Sequence, residues 1–393
     1  MTPPARTQAA IELLDAILLA AREGGAAADT LIARYFATRR YAGSKDRRAV
    51  RELVYAAIRR AGEPPVSGRA AMLRVAAESS ELTATFDGTP HAPVLIVPGE
   101  PIASAGVAPA WLERELERSG LSTGEQTALV ARAPLDLRVN TLLTTRDEVR
   151  AALPEADPVA GLPNALRLAT GTSVDAHELY RSGAIEVQDA GSQLIALAAS
   201  VAPGMRVVDL CAGAGGKTLA LADAMRDTGE LLACDTDRAR LSRLVPRAAR
   251  AGATCVTTRL LDPNRELAAL EDWHASADVV LVDAPCSGTG TWRRNPEARW
   301  RLSPARIERL RATQAHVLDL AAALVRPGGT LVYAVCSVLD GEGPDQVAAL
   351  VGRTDLFPEP LSLPFGTPRG PGVRLTPARD GTDGFFVARL RRA

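Results

Sequence analysis

The sequence has few cysteines and no long apolar segment, and each shortage excludes a class of protein. Its five cysteines are an odd number and include no Cys-x-x-Cys pair, which argues against a disulfide framework and a zinc site. No uninterrupted apolar run reaches the roughly 18 residues of a membrane span, and the first ten residues do not resemble a secretion signal. We therefore expect a cytoplasmic protein with reduced thiols, no bound metal and no membrane partner.

An excess of one charge is also missing, because 46 basic residues balance 46 acidic ones. This balance excludes a uniformly positive nucleic-acid binder but not local basic patches. Lysine is almost absent: only Lys45 and Lys217 occur, and every other basic residue is arginine. Each of the two lysines is therefore a candidate for a specific role.

What remains is the composition of a folded protein. Of the 393 residues, 47% are hydrophobic and 23% charged, which is enough apolar material for a sizeable core. At about 150 residues per domain the length predicts two or three domains. Composition and pattern change along the chain in a way that favours three, at residues 1–105, 106–200 and 201–393.

The N-terminal part shows helical periodicity. Apolar residues recur at helical spacing in residues 8–22 and again in 44–58. Residues 34–60 contain nine basic side chains against two acidic ones, which predicts either an RNA-binding face or a solvated helix surface. Residues 77–108 are polar and contain proline and glycine, so they predict a domain boundary or an irregular linker.

The rest of the chain alternates short apolar runs with helical segments. Runs at 135–139, 165–168 and 184–187 predict a small α+β unit. From residue 205 onward the alternation is regular and predicts a mostly parallel, doubly wound sheet. The strands of that sheet are predicted at residues 206–210, 230–234, 277–282 and 330–335. Before the last of them, Ser303 and Pro304 predict a helix start, and Pro327-Gly328-Gly329 predicts its end.

Ligands of open α/β sheets bind beyond the carboxyl ends of the strands, so the residues there are candidate site residues. The first strand leads into the glycine-rich turn 211–218, whose backbone can approach a ligand closely, although tight packing alone can also demand glycine. A phosphate-binding Walker loop would need glycine at Cys211, and a dinucleotide fingerprint would need it at Thr218. Asp235 ends the second strand, where an acidic side chain can accept hydrogen bonds from a ribose. Together these residues predict a ribose-bearing cofactor that is not anchored by phosphates.

The third and fourth strands each end near a cysteine. An Asp-Ala-Pro turn leads into Cys286, and the fourth strand leads directly into Cys336. Either cysteine alone could be a small buried packing residue. Two thiols at the ends of neighbouring strands favour chemistry instead. We interpret Cys234 and Cys255 as packing residues and Cys211 as a loop residue beside the cofactor.

These motifs together resemble a known family. Residues 211–218, 283–290 and 333–337, followed by Asp383-Gly384-Phe385-Phe386, resemble the RsmB/Nop2/Sun family of RNA cytosine-5 methyltransferases in order and spacing. Residues 137–140 and 187–189 extend the resemblance, and residues 44–60 resemble the NusB-like RNA-binding domain of bacterial ribosomal RNA enzymes. The resemblance implies a Rossmann-like class I methyltransferase domain at 201–393, preceded by a small α+β subdomain at 106–200 and an all-α NusB-like domain at 1–105.

The chain departs from the family pattern at three places. Gly213-Ala214 stands where Ala-Pro is usual, and Val335 stands where threonine is common. Neither change removes a reacting group. The third departure is a shortened N-terminal module, with the irregular stretch 77–108 where further helices are expected, and it bears on the choice of RNA.

The resemblance implies methyl transfer from S-adenosylmethionine to carbon 5 of a cytosine in RNA, foremost 16S ribosomal RNA, by a monomer. In this scheme Cys336 adds to carbon 6 of the base and Cys286 assists release of the covalent adduct. Asp283 lies near the cytosine ring, Lys217 lies near cofactor and base, Asp235 binds the ribose and Asp262 binds the adenine side. The implied cofactor-binding residues are Cys211, Ala212, Gly213, Ala214, Gly215, Gly216, Lys217, Asp235, Arg240, Asp262 and Asp283.

A second basic run follows Cys286. We predict that it contacts RNA phosphates rather than forming a solvated face, because its position and its charge agree. Its arginines are Arg293, Arg294, Arg299, Arg301, Arg306, Arg309 and Arg311. Alternative functions are a tRNA cytosine-5 methyltransferase and a non-catalytic RNA-binding factor of ribosome assembly. A small-molecule methyltransferase has no need for paired thiols.

Overall fold

The computed structural model describes residues 1–393 and contains two compact units. The N-terminal unit consists of residues 1–131 together with 291–303, and the C-terminal unit consists of residues 132–290 and 304–393. The three domains predicted at 1–105, 106–200 and 201–393 remain a prediction, because this division into two units does not test their bounds. None of the helices combines the length and the apolar character needed to cross a membrane.

The N-terminal unit is helical, as its apolar periodicity predicts. Its helices are α1 (Pro3–Glu23), α2 (Ala28–Ala37), α3 (Ser44–Arg60), α4 (Gly68–Ala76), α5 (Ser80–Thr83), α6 (Ala110–Arg118) and α7 (Thr123–Leu129), and residues Pro296–Arg301 add a 3-10 segment. The Thr2 hydroxyl caps the start of α1, and Gly24 ends it in the left-handed conformation. Between α5 and α6 the chain has no helix or strand, only one bridge between Ala61 and Ala105. The resemblance of this unit to a NusB-like domain stays a prediction.

Residues 291–303 correct part of the predicted phosphate-binding run, because several of their arginines are structural. Arg299 is fully buried and donates hydrogen bonds to the carbonyl oxygens of Ile58 (2.6 Å) and Ala61 (2.8 Å) at the end of α3. Arg301 donates to two main-chain carbonyl oxygens beyond α1, both at 2.7 Å. Arg293 is also buried. The prediction is wrong for Arg293 and Arg299, whose side chains are buried. For Arg301, which is partly exposed, phosphate contact stays a prediction.

The C-terminal unit begins with the predicted small α+β element. Its antiparallel sheet has the order β2-β3-β1-β4. The strands are β1 (Leu135–Val139), β2 (Asp157–Pro158), β3 (Ala165–Leu168) and β4 (Ile185–Val187), and the helices are α8 (Arg146–Ala152), α9 (Glu178–Arg181) and α10 (Ala190–Ala198). Three of the four strands coincide with the predicted apolar runs.

The larger sheet confirms the predicted doubly wound α/β fold. Its strand order is β11-β12-β13-β9-β8-β5-β6-β7, with β10 paired to β13. The strands are β5 (Arg206–Asp209), β6 (Glu230–Asp235), β7 (Val256–Leu260), β8 (Ala277–Asp283), β9 (Val325–Val335), β10 (Leu356–Glu359), β11 (Thr367–Arg369), β12 (Gly372–Leu375) and β13 (Phe385–Arg392). The helices are α11 (Gly216–Ala224), α12 (Arg238–Ala251), α13 (Glu266–Ala269), α14 (Pro304–Leu324), α15 (Pro344–Val351) and α16 (Pro377–Asp380), with 3-10 turns at Glu271–Trp273, Thr289–Thr291 and Asp340–Glu342.

The strand order creates a switch point beside β5. Strands β5 to β9 run parallel, with β6 and β7 on one side of β5 and β8 and β9 on the other. Such a reversal opens a crevice at the carboxyl ends of the central strands. The antiparallel strand β13 pairs with the far edge of β9. The fold therefore collects the loops after β5, β6, β8 and β9 at one edge of the sheet.

The end of α14 differs in detail from its prediction. The helix ends at Leu324, and β9 begins at once with Val325. Val325 pairs with Ala277, and pairing resumes at Thr330 after a shift in register. Pro327-Gly328-Gly329 therefore forms an irregularity within the strand rather than a loop before it.

Candidate active site

A cleft of about 1060 Å³ opens at the carboxyl ends of the parallel strands. Residues from the loops after β5, β6, β7, β8 and β9 line it, together with one side of α14. Its volume is at the upper end of the range typical of small-molecule and cofactor sites. The structure places most of the glycine-rich turn, both candidate cysteines and Lys217 among the lining residues.

The glycine-rich turn after β5 needs glycine where the chain packs closely. Gly215 has φ of 86°, and a Cβ atom there would lie 2.0 Å from Leu244 Cδ1, so only glycine fits. Gly213 has φ of 57°, and a Cβ atom built on it would have no heavy atom within 4 Å. The turn thus combines one packed glycine with an open backbone surface that faces the cleft.

Asp235 holds this turn in place. Its carboxylate accepts hydrogen bonds from Gly213 N at 2.8 Å and from Asp237 N at 2.7 Å. A carboxylate has about four acceptor positions, two on each oxygen, so each oxygen retains one acceptor position for a ligand. These residues therefore fit a ribose-bearing cofactor, whose two hydroxyl groups need such acceptors. Arg240 also lines the cleft.

Two of the predicted cofactor residues lie outside the cleft lining. Gly215 shapes the turn from behind, and Asp262 has an exposed side chain after β7. The adenine contact of Asp262 stays a prediction. In contrast, Glu266 and His316 do line the cleft, with Glu266 Oε1 3.3 Å from His316 Nε2. Neither residue belongs to a recognisable motif, so neither is predicted from the sequence.

Lys217 and Asp283 form an ion pair inside the cleft. Lys217 Nζ lies 2.6 Å from Asp283 Oδ2. Burial alone would lower the pKa of Lys217, but the Asp283 carboxylate more than offsets this and the net pKa is raised. A negative charge on Cys336 also raises this pKa, so the lysine is within electrostatic reach of that sulfur. Lys217 is therefore a cation at neutral pH within electrostatic reach of one of the two thiols.

The two candidate thiols are in contact. The Sγ atoms of Cys286 and Cys336 lie 3.3 Å apart, because β8 and β9 are neighbouring parallel strands that end at the same edge. Gly290 N donates to the Cys336 carbonyl at 3.0 Å, which ties the two loops together. The pKa of Cys286 is raised above its ordinary value, first by its hydrogen bond with Cys336 and then by burial. Cys286 therefore keeps its proton at neutral pH.

The Asp383-Gly384-Phe385-Phe386 motif near the C-terminus packs against the loop that follows Cys286. A Cβ atom on Gly290 would lie 1.9 Å from the Gly384 carbonyl oxygen, so two glycines allow direct backbone contact. Phe385 and Phe386 are both buried, and Lys217 Nζ lies 5.7 Å from the centre of the Phe385 ring. These aromatic residues thus pack beneath the site.

The remaining cysteines are inert by their surroundings. Burial raises the pKa of Cys234 to about 12 and likewise raises that of Cys211. Cys255 directly precedes the edge strand β7, and burial also raises its pKa to about 12. No group of three or more His, Cys, Asp or Glu side chains is placed to bind a metal ion.

Comparison with known proteins relates this arrangement to one family. Residues 196–391 match the family described as 16S rRNA methyltransferase RsmB/F. The chain is 36% identical over 289 residues to the ribosomal RNA small subunit methyltransferase B of Salmonella typhi, a match that covers 72% of this chain. The same match covers 66% of the relative, so the chain spans just under two thirds of its length.

Two solved structures share the fold. The crystal structure of PH0851 has a TM-score of 0.78 at 26% identity and covers 100% of both chains. NSun6 from Pyrococcus horikoshii, solved with SFG, has a TM-score of 0.64 at 20% identity and covers 71% of this chain and 98% of its own. The second likeness shows the fold alone.

Proposed function

The chain belongs to the RsmB/F family of methyltransferases, and from that premise we propose that it methylates carbon 5 of a cytosine in RNA. The RNA that we favour is 16S ribosomal RNA, and the setting is the bacterial cytoplasm. The methyl donor of this family is S-adenosylmethionine. One observation carries the proposal: two thiols in contact share a cleft with the Asp235 carboxylate and a glycine-rich turn.

The paired thiols support this chemistry because carbon 5 of cytosine is a poor nucleophile until the ring is activated. We assign the activation to Cys336, whose thiolate forms a bond to carbon 6 and moves ring electrons to carbon 5. S-adenosylmethionine supplies an electrophilic methyl group when bound. After methylation the proton on carbon 5 passes to solvent, the carbon 5–carbon 6 double bond reforms and the sulfur departs with its electron pair.

The electrostatics support different roles for the two thiols. Lys217 is a cation within electrostatic reach of Cys336, whereas no such cation acts on Cys286 among the causes of its pKa shift. Cys286 holds its proton at neutral pH, because its pKa is raised by the contact with Cys336 and by burial. We therefore assign attack to Cys336 and assistance in release to Cys286. Asp283, paired with Lys217, is the group that we assign to the cytosine ring.

The same geometry supports the cofactor assignments. We propose that Asp235 accepts hydrogen bonds from the ribose hydroxyls while it holds Gly213 in place. The open backbone of residues 211–216 faces the rest of the cofactor, with Arg240 and Asp262 as outer contacts.

RNA binding is assigned to exposed arginines and one lysine. In the N-terminal unit, Arg34, Arg40, Lys45 and Arg48 are exposed. On α14, Arg306 and Arg309 are exposed, and Arg306 lines the cleft. Exposed cations of this kind can contact phosphates without reading sequence. In the proposed RNA-binding surface these exposed residues take the place of the buried Arg293 and Arg299.

The test is incubation with labelled S-adenosylmethionine and unmodified total RNA, followed by size separation and nucleoside analysis. We expect label in 5-methylcytidine of the small-subunit ribosomal RNA. Label in the tRNA fraction would move the substrate assignment to tRNA. Absence of label from every fraction, with cofactor binding intact, would support a non-catalytic RNA-binding factor and refute the proposal.

A further inference from the structure

The buried carboxylate of Glu342 has no part in the chemistry above, yet it contacts both cysteine loops. Glu342 ends the 3-10 turn that follows β9, and it is inaccessible to solvent. Its Oε1 accepts hydrogen bonds from Ser287 N at 2.8 Å and from Gln314 Nε2 at 3.0 Å. Its Oε2 accepts one from Ser337 Oγ at 2.6 Å and another from the Ser287 hydroxyl. One side chain thus collects four donors from three elements.

These donors lie next to the reacting sulfurs. Ser287 directly follows Cys286, and Ser337 directly follows Cys336. The α14 glutamine bound to Glu342 also donates to the carbonyl oxygen of the residue before Cys286, at 2.9 Å. The Glu342 backbone is fixed as well, because its carbonyl oxygen accepts a hydrogen bond from the Tyr333 hydroxyl at 2.6 Å. The carboxylate is therefore held rigidly while it holds both loops.

We propose that Glu342 is a positioning residue whose carboxylate clamps the Cys286 loop to the Cys336 loop. The clamp keeps the two sulfur atoms within reach of the same cytosine ring. The catalytic consequence rests on the proposed function, in which both thiols act on one base in succession. The clamp itself is a property of the free protein.

A carboxylate suits this place because it only accepts hydrogen bonds, and all four surrounding groups can donate. A buried charge is tolerated when it is fully hydrogen-bonded. Glu342→Gln keeps the volume but removes the charge and replaces one acceptor oxygen by an NH2 group. Facing Ser287 N and Gln314 Nε2, that group would oppose two donors; facing the serines, it would replace charge-assisted hydrogen bonds by weaker neutral ones, so either orientation weakens one side of the clamp. The charge of Glu342 also contributes to the raised pKa of Cys286, after the contact with Cys336 and burial.

The clamp is tested by the rate at which one reagent bridges the two thiols. Phenylarsine oxide forms two arsenic–sulfur bonds and releases its oxygen as water with both thiol protons, so bridging reports the distance between sulfurs. Digestion and mass spectrometry identify the bridge between Cys286 and Cys336. The matched control is Asp136→Asn, which alters another fully buried carboxylate, bound by Arg167 and by Ala190 N, outside the cleft lining.

We expect Glu342→Gln to slow bridging about tenfold or more, while Asp136→Asn bridges at the wild-type rate, since small misplacements of reacting atoms have large effects. Alkylation of either thiol by a monofunctional reagent is expected to change far less. In the methylation assay we expect a fall in kcat of up to about 100-fold with KM for S-adenosylmethionine unchanged.

Wild-type bridging by folded Glu342→Gln would overturn the proposal. If that variant does not fold, the double variant Ser287→Ala, Ser337→Ala decides, because it removes both hydroxyl donors and keeps the carboxylate. Bridging at the wild-type rate there would equally overturn the clamp. The bridging result does not depend on RNA. If the proposed function is wrong and the clamp is right, the wild-type protein will show no methylation, while bridging will still be slowed in Glu342→Gln.

Discussion

Replacing Asp209 by asparagine is expected to change how the stability of the protein depends on pH. Asp209 ends β5 and is buried; its Oδ2 accepts a hydrogen bond from Thr218 Oγ1 at 2.7 Å, and its Oδ1 has no partner. Burial raises its pKa from 3.8 to about 7, with the Asp283 and Asp235 carboxylates adding to the shift. The Thr218 hydrogen bond and the Lys217 charge oppose it.

The sign follows from the direction of this shift. Because the folded state holds the Asp209 proton more tightly than the unfolded state does, stability from this group is present at low pH and lost as the pH rises through about 7. Between about pH 5 and about pH 8 the loss amounts to about 3 kcal/mol. Asparagine has a similar shape and does not ionise. We therefore expect the free energy of unfolding of Asp209→Asn, relative to wild type, to rise by about 3 kcal/mol over that interval.

The assay is urea unfolding of both proteins at a series of pH values. Asp278→Asn is the control, because its pKa is lowered: hydrogen bonds from Arg206 N and Arg326 outweigh the effect of burial. Its difference from wild type is expected to stay flat over the same interval. If the Asp209→Asn and wild-type curves run parallel from about pH 5 to about pH 8, Asp209 is ionised throughout and the argument from its burial is wrong.

Three further predictions concern the cofactor, the RNA and the arginine run. Asp235→Asn is expected to weaken binding of S-adenosylmethionine about 10- to 150-fold in calorimetry, since a lost charge-assisted hydrogen bond costs about 1.5–3 kcal/mol; unchanged affinity would remove the ribose assignment. Arg40→Ala and Arg48→Ala are each expected to reduce the slope of RNA affinity against salt concentration by about one charge. An unaltered slope would show that these two residues lie on a solvated surface without phosphate contact. Arg299→Met is expected to destabilise the N-terminal unit by about 3 kcal/mol in urea unfolding, because carbonyl groups of the α3 end lose their donor, and no loss of stability would contradict its structural role.

The strands and the meeting of the two cysteines could be predicted from the sequence. Apolar runs between helical segments identify β5, β6, β8 and β9, and parallel strands end at one edge of a sheet. That rule alone brings Cys286 and Cys336 to the same cleft, where the structure places their sulfurs 3.3 Å apart. Local pattern was enough because the contact follows from topology.

The arginine run and Glu342 could not be predicted because their roles depend on distant partners. Counting charges in residues 292–311 cannot distinguish an exposed arginine from Arg299, two of whose acceptors lie more than 200 positions away in the sequence. The Glu342 carboxylate accepts four hydrogen bonds, and two of them come from Ser287, at a sequence separation of 55. Nothing in the sequence around either residue reports such contacts.

The most direct test of the account compares the two cysteine variants in their covalent attachment to RNA. Each variant is incubated with S-adenosylmethionine and unmodified small-subunit ribosomal RNA and then run on a denaturing gel. We expect Cys336→Ala to give neither methylation nor a protein–RNA band, because it lacks the nucleophile. We expect Cys286→Ala to accumulate a resistant protein–RNA band, because addition and methylation proceed and release is slow. The reverse pattern, with a band for Cys336→Ala and none for Cys286→Ala, would contradict the assigned roles, and no band with either variant would contradict the covalent mechanism.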